Sequence, residues 1–329
     1  MLRSREDGLE VASIADALRT ARYDVEEWIP GRTERPVLDP DRQTVWFVMP
    51  PLQRSGLEYG EREQSLLDAT ASLIAGGQPV MVTVARSMLP LVGQPDPWAT
   101  IAADFGVEVD TGAVVFEWAP EIGEAGAVRT WQTVTPVGGD LAPSHPVAVA
   151  LRGKQFLASH VTPIRPLAAE SNFSIIAEVG PGPLRWIERD WRGDGAGLTG
   201  PPPEGMMDAV VPLAVALERT DADGEDQRLM IVGTGGWALS AIVNEAATLG
   251  GDRVVLANPG NRELALSGIA WLAGLDDLVA TAASGREVAR FQGVTGTARA
   301  VWAVMLLLVL GLGPLALGAA VWSVRRNAS

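Results

Sequence analysis

Residues 228–240, RLMIVGTGGWALS, set a short apolar run, Leu229 to Val232, directly before Gly233, Thr234, Gly235 and Gly236. The spacing Gly233, Gly235, Ala238 fits a relaxed dinucleotide fingerprint, in which backbone N–H groups and a helix N-terminus hold a pyrophosphate. That chemistry also needs an acidic side chain about 20 positions on, at the end of the next strand, to bind the ribose. Asp252, the nearby candidate, precedes the apolar run RVVLAN and does not close it. The loop therefore reads as a strand-to-helix turn at the carboxyl edge of a sheet. Gly233, Thr234, Gly235 and Gly236 stay weak ligand candidates, and no cofactor is expected.

Other chemistries have fewer residues to draw on. The one lysine, Lys154 in RGKQF, lacks the glycine spacing and Ser/Thr of a Walker A loop, so no P-loop ATPase is encoded. No Gly-x-Ser-x-Gly elbow exists for a hydrolase nucleophile. Cysteine is absent, which removes disulfides, thiolate metal sites and cysteine nucleophiles together. The two histidines, His145 in SHPV and His160 in ASHVTP, stand in strand-rich surroundings and read as core or surface residues. The carboxylate pairs Glu26–Glu27 and Asp276–Asp277 are adjacent in sequence, so they do not face each other as an acid and a base would. No metal-ligand spacing and no catalytic set emerge.

NPGNREL, residues 258–264, carries a helix start: Asn258 as a cap, Pro259 pre-set for the first turn and Glu263 near the positive helix end. Gly260 allows close backbone approach. Asn258, Asn261 and Arg262 lie on the side of the sheet that the glycine loop occupies, and are expected to form a contact surface for a partner protein.

The elements that must position these residues follow from periodicity. Residues 8–22 have helical apolar spacing, with Leu9, Val11, Ile14, Ala17 and Leu18 on one face. TVWFVM at 44–49 and PVMVTV at 79–84 read as buried strands, separated by a helix that stops at Gly76–Gly77. Asp96 and Pro97 open an expected helix toward 109. From 111 to 192 short runs, AVVFEW, VAVAL, SIIAEV and LRWIE, are separated by Gly, Pro and Asp and read as strands. RGDGAGLTGPPPEG at 192–205 is loop composition. Strands near 209–219 and 228–232, a helix near 237–249, a strand at 253 and a helix near 260–273 ending at Gly274 restore the α/β pattern.

The fold class read from this is α/β: a parallel sheet covered on both faces, with a β-rich insertion. Residues 1–110 are its first part, 111–207 the insertion and Gly/Pro loop, and 208–283 its C-terminal part. A juxtamembrane linker at 284–300, a transmembrane helix at 301–324 and a basic tail at 325–329 complete the chain.

The chain has 329 residues, 47% of them hydrophobic, enough for a large core. Its formal net charge is −14, which argues against a nucleic-acid partner, since such a protein must neutralise phosphates. With a single lysine, nearly all the basic residues are arginine, the mark of GC-rich bacterial coding.

VWAVMLLLVLGLGPLALGAAVWSV, residues 301–324, contains no charge. At about 1.5 Å rise per residue, a helix of this length exceeds the roughly 30 Å hydrocarbon core. Trp302 and Trp322 stand one bilayer thickness apart, where their amphipathic rings mark the two interfaces, and Arg325 and Arg326 follow. Pro314 kinks the segment. Arg286, Arg290 and Arg299 lie on the other flank, so the charge balance leaves orientation open. The start, MLRSREDGLEV, has no signal-peptide pattern, and a chain beginning there would keep its large domain in the cytoplasm.

LMIVGTGGWALS, then NPGNRELALSGIAWLAGLDDLV, then a terminal apolar helix ending VWSVRR, resembles the gliding-motility GldG-like family of auxiliary subunits of ABC-type transport systems. DGLEVASIADALRTARYDVEEW, TVWFVMPPLQRSGLEYGEREQSLLDATASLIAGGQPVMVTV and HPVAVALRG follow in the family's order, so the likeness spans nearly the whole chain. It implies a flavodoxin-like or amidotransferase-like α/β domain outside the cytoplasm, tethered in the bacterial inner membrane beside an ABC permease. The ATPase would be a separate subunit. The resemblance establishes no catalytic residue. Family members carry an N-terminal membrane region that this sequence does not show before residue 8, and that region is what would deliver the domain across the membrane. The expected function is a non-enzymatic membrane-anchored accessory component acting through protein contacts. The alternative is a membrane-bound sensor or enzyme that binds a ligand at the Gly233–Gly236 loop.

Overall fold

The computed structural model describes residues 2–3, 11–49, 60–119, 127–129, 131–134, 145–167, 173–182, 184–189, 191, 207–220, 226–249 and 253–279. The chain divides into two units, Met1–Ser284 and Gly285–Ser329, and the described residues all fall in the first. The expected linker, membrane helix and tail, with Trp302, Trp322, Arg325 and Arg326, lie outside the described residues. Among those described, no helix is long and apolar enough to cross a membrane.

In chain order the elements begin with β1 (Leu2–Arg3), α1 (Ala12–Thr20), β2 (Trp46–Met49), α2 (Glu61–Ala75) and β3 (Val80–Thr83). Next come β4 (Val107–Val109), β5 (Val114–Ala119), β6 (Ala127–Arg129), β7 (Trp131–Val134), α3 (Pro146–Leu151) and β8 (Phe156–Ser159). Then follow β9 (Ile164–Pro166), β10 (Phe173–Val179), β11 (Arg185–Glu188), β12 (Val211–Thr220) and β13 (Asp226–Val232). The last are α4 (Ser240–Val243), β14 (Ala246–Leu249), β15 (Arg253–Leu256) and α5 (Pro259–Leu272).

The class is mixed α/β, and the central sheet is mixed where a parallel one was expected. Its order is β1-β2-β3-β13-β12-β10. The first four strands are parallel, whereas β12 runs antiparallel to β13 and β10 antiparallel to β12. Only residues 221–225 separate β12 from β13, too short for the crossover a parallel pair requires. The expected insertion is also less separate than its composition implied, because it supplies β10, the edge strand of the main sheet.

Why the central strands read as continuous apolar runs is clear in β13. Met230 and Val232 enter the layer that holds α5, while Leu229 and Ile231 enter the layer that holds α2, and all four are at most 1% exposed. A strand covered on both faces has no polar side to alternate with. Each such side chain contributes about 1.5–3 kcal/mol on burial. In α5 burial extends around most of the helix, including Leu264, Ala265, Ile269, Trp271 and Leu272. Gly274 at φ 71° ends it as expected.

Three expected elements differ. VAVAL is helix α3, because His145 accepts a hydrogen bond from the Val147 N–H at 3.3 Å and Pro146 is pre-set for the first turn. Asp96 does cap, accepting from the Trp98 N–H at 2.9 Å, but only turns and a 3₁₀ segment at Ala103–Phe105 follow before Gly106 turns left-handed at φ 74°. The helix expected near 237–249 shrinks to α4, and Ala246–Leu249 pairs with β15 as an antiparallel ribbon.

Candidate functional site

Strand β13 delivers the glycine loop to the carboxyl edge of the parallel strands, where open α/β sheets place their ligands. The loop is filled by the protein's own chain. The Gly233 N–H donates to the Leu213 carbonyl at 2.7 Å. The Gly233 carbonyl accepts from the Thr162 N–H at 2.8 Å and from the Thr162 hydroxyl at 3.0 Å. Thr234 and Ser159 bond reciprocally: the Thr234 hydroxyl donates to the Ser159 carbonyl at 2.6 Å and accepts from the Ser159 N–H at 3.0 Å. A Cβ on Gly233 would lie 2.4 Å from the Thr162 carbonyl oxygen, so glycine is required by the approach of that strand segment.

Residues 231–238 are all buried. Trp237 is 0% exposed, and its indole N–H donates to Thr83 Oγ1 at 3.0 Å. The helix that should receive a pyrophosphate is α4, a single turn whose dipole is correspondingly small. Gly233, Thr234, Gly235 and Gly236 thus form an internal junction between β13, β8 and the segment leading to β9.

NPGN completes the same junction from the other side. Asn261 is 0% exposed and makes three bonds: Oδ1 accepts from the Leu157 N–H at 2.9 Å, and Nδ2 donates to the carbonyls of Leu157 and Trp237, each at 2.8 Å. Asn258, 2% exposed, donates to Glu245 Oε2 at 2.6 Å and accepts from Gln155 Nε2 at 3.2 Å. Neither amide faces a partner, which corrects the expected contact surface. Buried amides must be satisfied internally, and these two are. Arg262 is half-buried beside them. Asn258 makes no capping bond from its side chain, although Pro259 holds the first turn as expected. Glu263 pairs with Lys154 at 3.2 Å, both nearly enclosed, so the one lysine tethers α5 to the end of α3.

Two histidines acquire positions that periodicity did not reveal. Ser159 Oγ and His160 Nδ1 lie 2.6 Å apart, and His160 adopts φ 52°, a left-handed conformation uncommon for a residue with a side chain. A hydroxyl beside an imidazole is the pair used in nucleophilic catalysis, but Ser159 is only 6% exposed and its backbone is bolted to Thr234. His145 Nδ1 accepts the α3 capping bond, which places its proton on Nε2. Its ring lies 4.9 Å from that of Trp271. Burial pushes its pKa down to about 4; Asp276 acts upward and Arg228 further downward. Among the described residues no group of three or more His, Asp or Glu side chains could hold a metal ion.

The opposite, amino edge of the sheet carries a cleft of about 280 Å³ between the segment 22–28, the segment 36–47 and the end of α5. Tyr23, Trp28 and Phe47 contribute aromatic walls, and Ile269 and Ala273 come from α5. Neither periodicity nor motif spacing marks this site, because its walls come from a long irregular connection.

No family model matches the sequence, and no curated protein matches it. Among solved structures the chain is similar to one described as the mmIFT52 N-terminal domain, at 9% identity, covering 83% of this chain and 96% of that chain. The TM-score is 0.43, a likeness too loose to assign fold or function.

Proposed function

We propose that the chain is a non-enzymatic, membrane-anchored accessory component of an ABC-type transport system, acting through protein contacts of its α/β domain. An ABC permease and a separate ATPase subunit are its partners in this reading. The finer fold kinship is flavodoxin-like or amidotransferase-like, and residues 301–324 are the anchor, with Trp302 and Trp322 at the interfaces and Arg325 and Arg326 beyond. The domain stands outside the cytoplasm. One observation supports the non-enzymatic part most: Asn261 Nδ2 donates to the Trp237 carbonyl at 2.8 Å. It joins in space the two separated motifs, TGGW and NPGN, on which the family resemblance rests. A buried, fully bonded junction is a fold signature, and its chemistry is used up internally. Deleting the gene tests the reading: the permease–ATPase complex should lose transport or assembly while the ATPase alone keeps its activity. Unchanged transport and unchanged complex size would overturn it.

A second reading rests on the strained Ser159–His160 pair beside the glycine loop, which fits a membrane-bound ligand sensor or enzyme better than a plain turn. Calorimetry of the full chain with NAD, FAD and nucleotides distinguishes it: heat abolished by His160→Ala favours this reading, and no heat removes it.

A further inference from the structure

The amino-edge cleft presents a different chemistry from the glycine loop. Its lining is mixed: Tyr23, Val25, Trp28, Phe47 and Ile269 are apolar, and Arg22, Asp24, Glu26, Asp39 and Arg42 are charged. Its charged rim is mostly spent. Arg42 pairs with Asp24 at 3.2 Å, and Asp39 Oδ1 accepts the Asp41 N–H at 3.0 Å. Arg35 lies over the rings of both Trp28 and Trp46, 5.7 and 5.6 Å from their centroids. The guanidinium of Arg22 is the exception: among the described residues it has neither ion pair nor hydrogen bond, and it lines the cleft. It also stands at φ 72°, directly after α1, the position where glycine ends a helix without strain. An arginine here costs backbone strain that a glycine avoids, and it places a cation at the mouth of the cleft. The Tyr23 hydroxyl, with its pKa raised by burial, remains protonated and able to donate beside it.

We propose that this cleft binds a small aromatic carboxylate, with its ring against the apolar lining and its carboxylate on Arg22. At about 280 Å³ the space suits a ligand of one or two fused rings, below the range of drug-sized sites. A guanidinium matches a carboxylate through parallel N–H donors, so the unpaired Arg22, and not the net charge of the lining, selects the anion over its neutral isostere. The site stands independently of the transport reading.

The test is saturation-transfer NMR on the full chain in lipid nanodiscs, with indole-3-acetate and the uncharged indole-3-acetamide as probes. Wild type should bind the acetate about ten-fold more tightly than the amide. Arg22→Gln should abolish the preference, and Arg22→Lys should restore part of it. Arg22→Gly removes the cation while easing the backbone, so it decides the matter should Arg22→Gln fold poorly. Binding of neither probe at millimolar concentration, or an anion preference that survives Arg22→Gln and Arg22→Gly, overturns the proposal.

Discussion

Asn261 and Trp237, separated in sequence by α4 and the β14–β15 ribbon, are joined by an amide-to-carbonyl hydrogen bond of 2.8 Å in a site with no access to water. The same asparagine also bonds both backbone groups of Leu157. One side chain therefore ties α5, β8 and the glycine loop together.

Replacing Asn261 with alanine removes the side-chain partner of the part-buried Leu157 N–H and carbonyl and of the buried Trp237 carbonyl. At about 1–3 kcal/mol for each unsatisfied group, part of it relieved by entering water, the loss should reach about 3 kcal/mol. Asn261→Asp keeps the acceptor and loses the donors, so it should be no better. Denaturant unfolding of the two variants checks this; a loss under about 1 kcal/mol would mean the junction rearranges freely.

Gly233→Ala should destabilise by about 2 kcal/mol or more, because backbone, not a movable side-chain end, stands 2.4 Å from the new Cβ. Gly180→Ala is the matched control, with nothing within 4 Å and no left-handed backbone. Thermal melts of both variants separate steric crowding from a general glycine effect. If the loop instead serves mainly as a ligand cradle, Gly233→Ala should leave the apo protein's melting temperature unmoved.

The His145 ring gives a pH dependence of definite sign. Its folded pKa, about 4, lies below the usual 6.5, so the unfolded chain binds the proton more readily. The stabilisation is fully present above pH 6.5 and is lost as pH falls from there toward 4. With some water screening at the partly buried ring, the loss is on the order of 2 kcal/mol. His145→Asn keeps a capping acceptor for α3 and should flatten this part of the stability curve. A variant with the same slope between pH 6.5 and 4 as wild type would assign the dependence to other groups.

Trp237→Phe removes the donor to Thr83 and part of the filler between Phe47 and Phe156, whose rings lie 5.9 and 6.2 Å from the indole. A loss of about 1–3 kcal/mol is expected, with no change in the positions of neighbouring methyl resonances beyond this layer. Wide resonance changes in the layer on the other face of the sheet, at Leu66 or Val82, would contradict a local role.

Sequence patterns revealed elements governed by near neighbours. The runs at β2, β3 and β13, helix α2 and the α5 stop at Gly274 all depend on local apolar spacing or a local turn residue. What escaped depends on distant partners. VAVAL has valine spacing that suits a strand, yet His145 and Pro146 start a helix there, and α5 offers the apolar side for it. Asn258 and Asn261 read as surface because asparagine is polar; their burial depends on Leu157, Trp237, Glu245 and Gln155, none of them adjacent. Arg22 gave no pattern at all, since its place at the cleft is set by the end of α1 and the distant return of residues 36–47.

The central claim, an accessory subunit held in the membrane beside a transporter, is tested most directly by isolating the tagged full chain from native membranes in a mild detergent. The account predicts that an ABC permease and its separate ATPase co-purify in fixed ratio, and that removing residues 301–329 releases the domain and abolishes co-purification. Recovery of the full chain alone, with the transporter assembling normally in its absence, would contradict it.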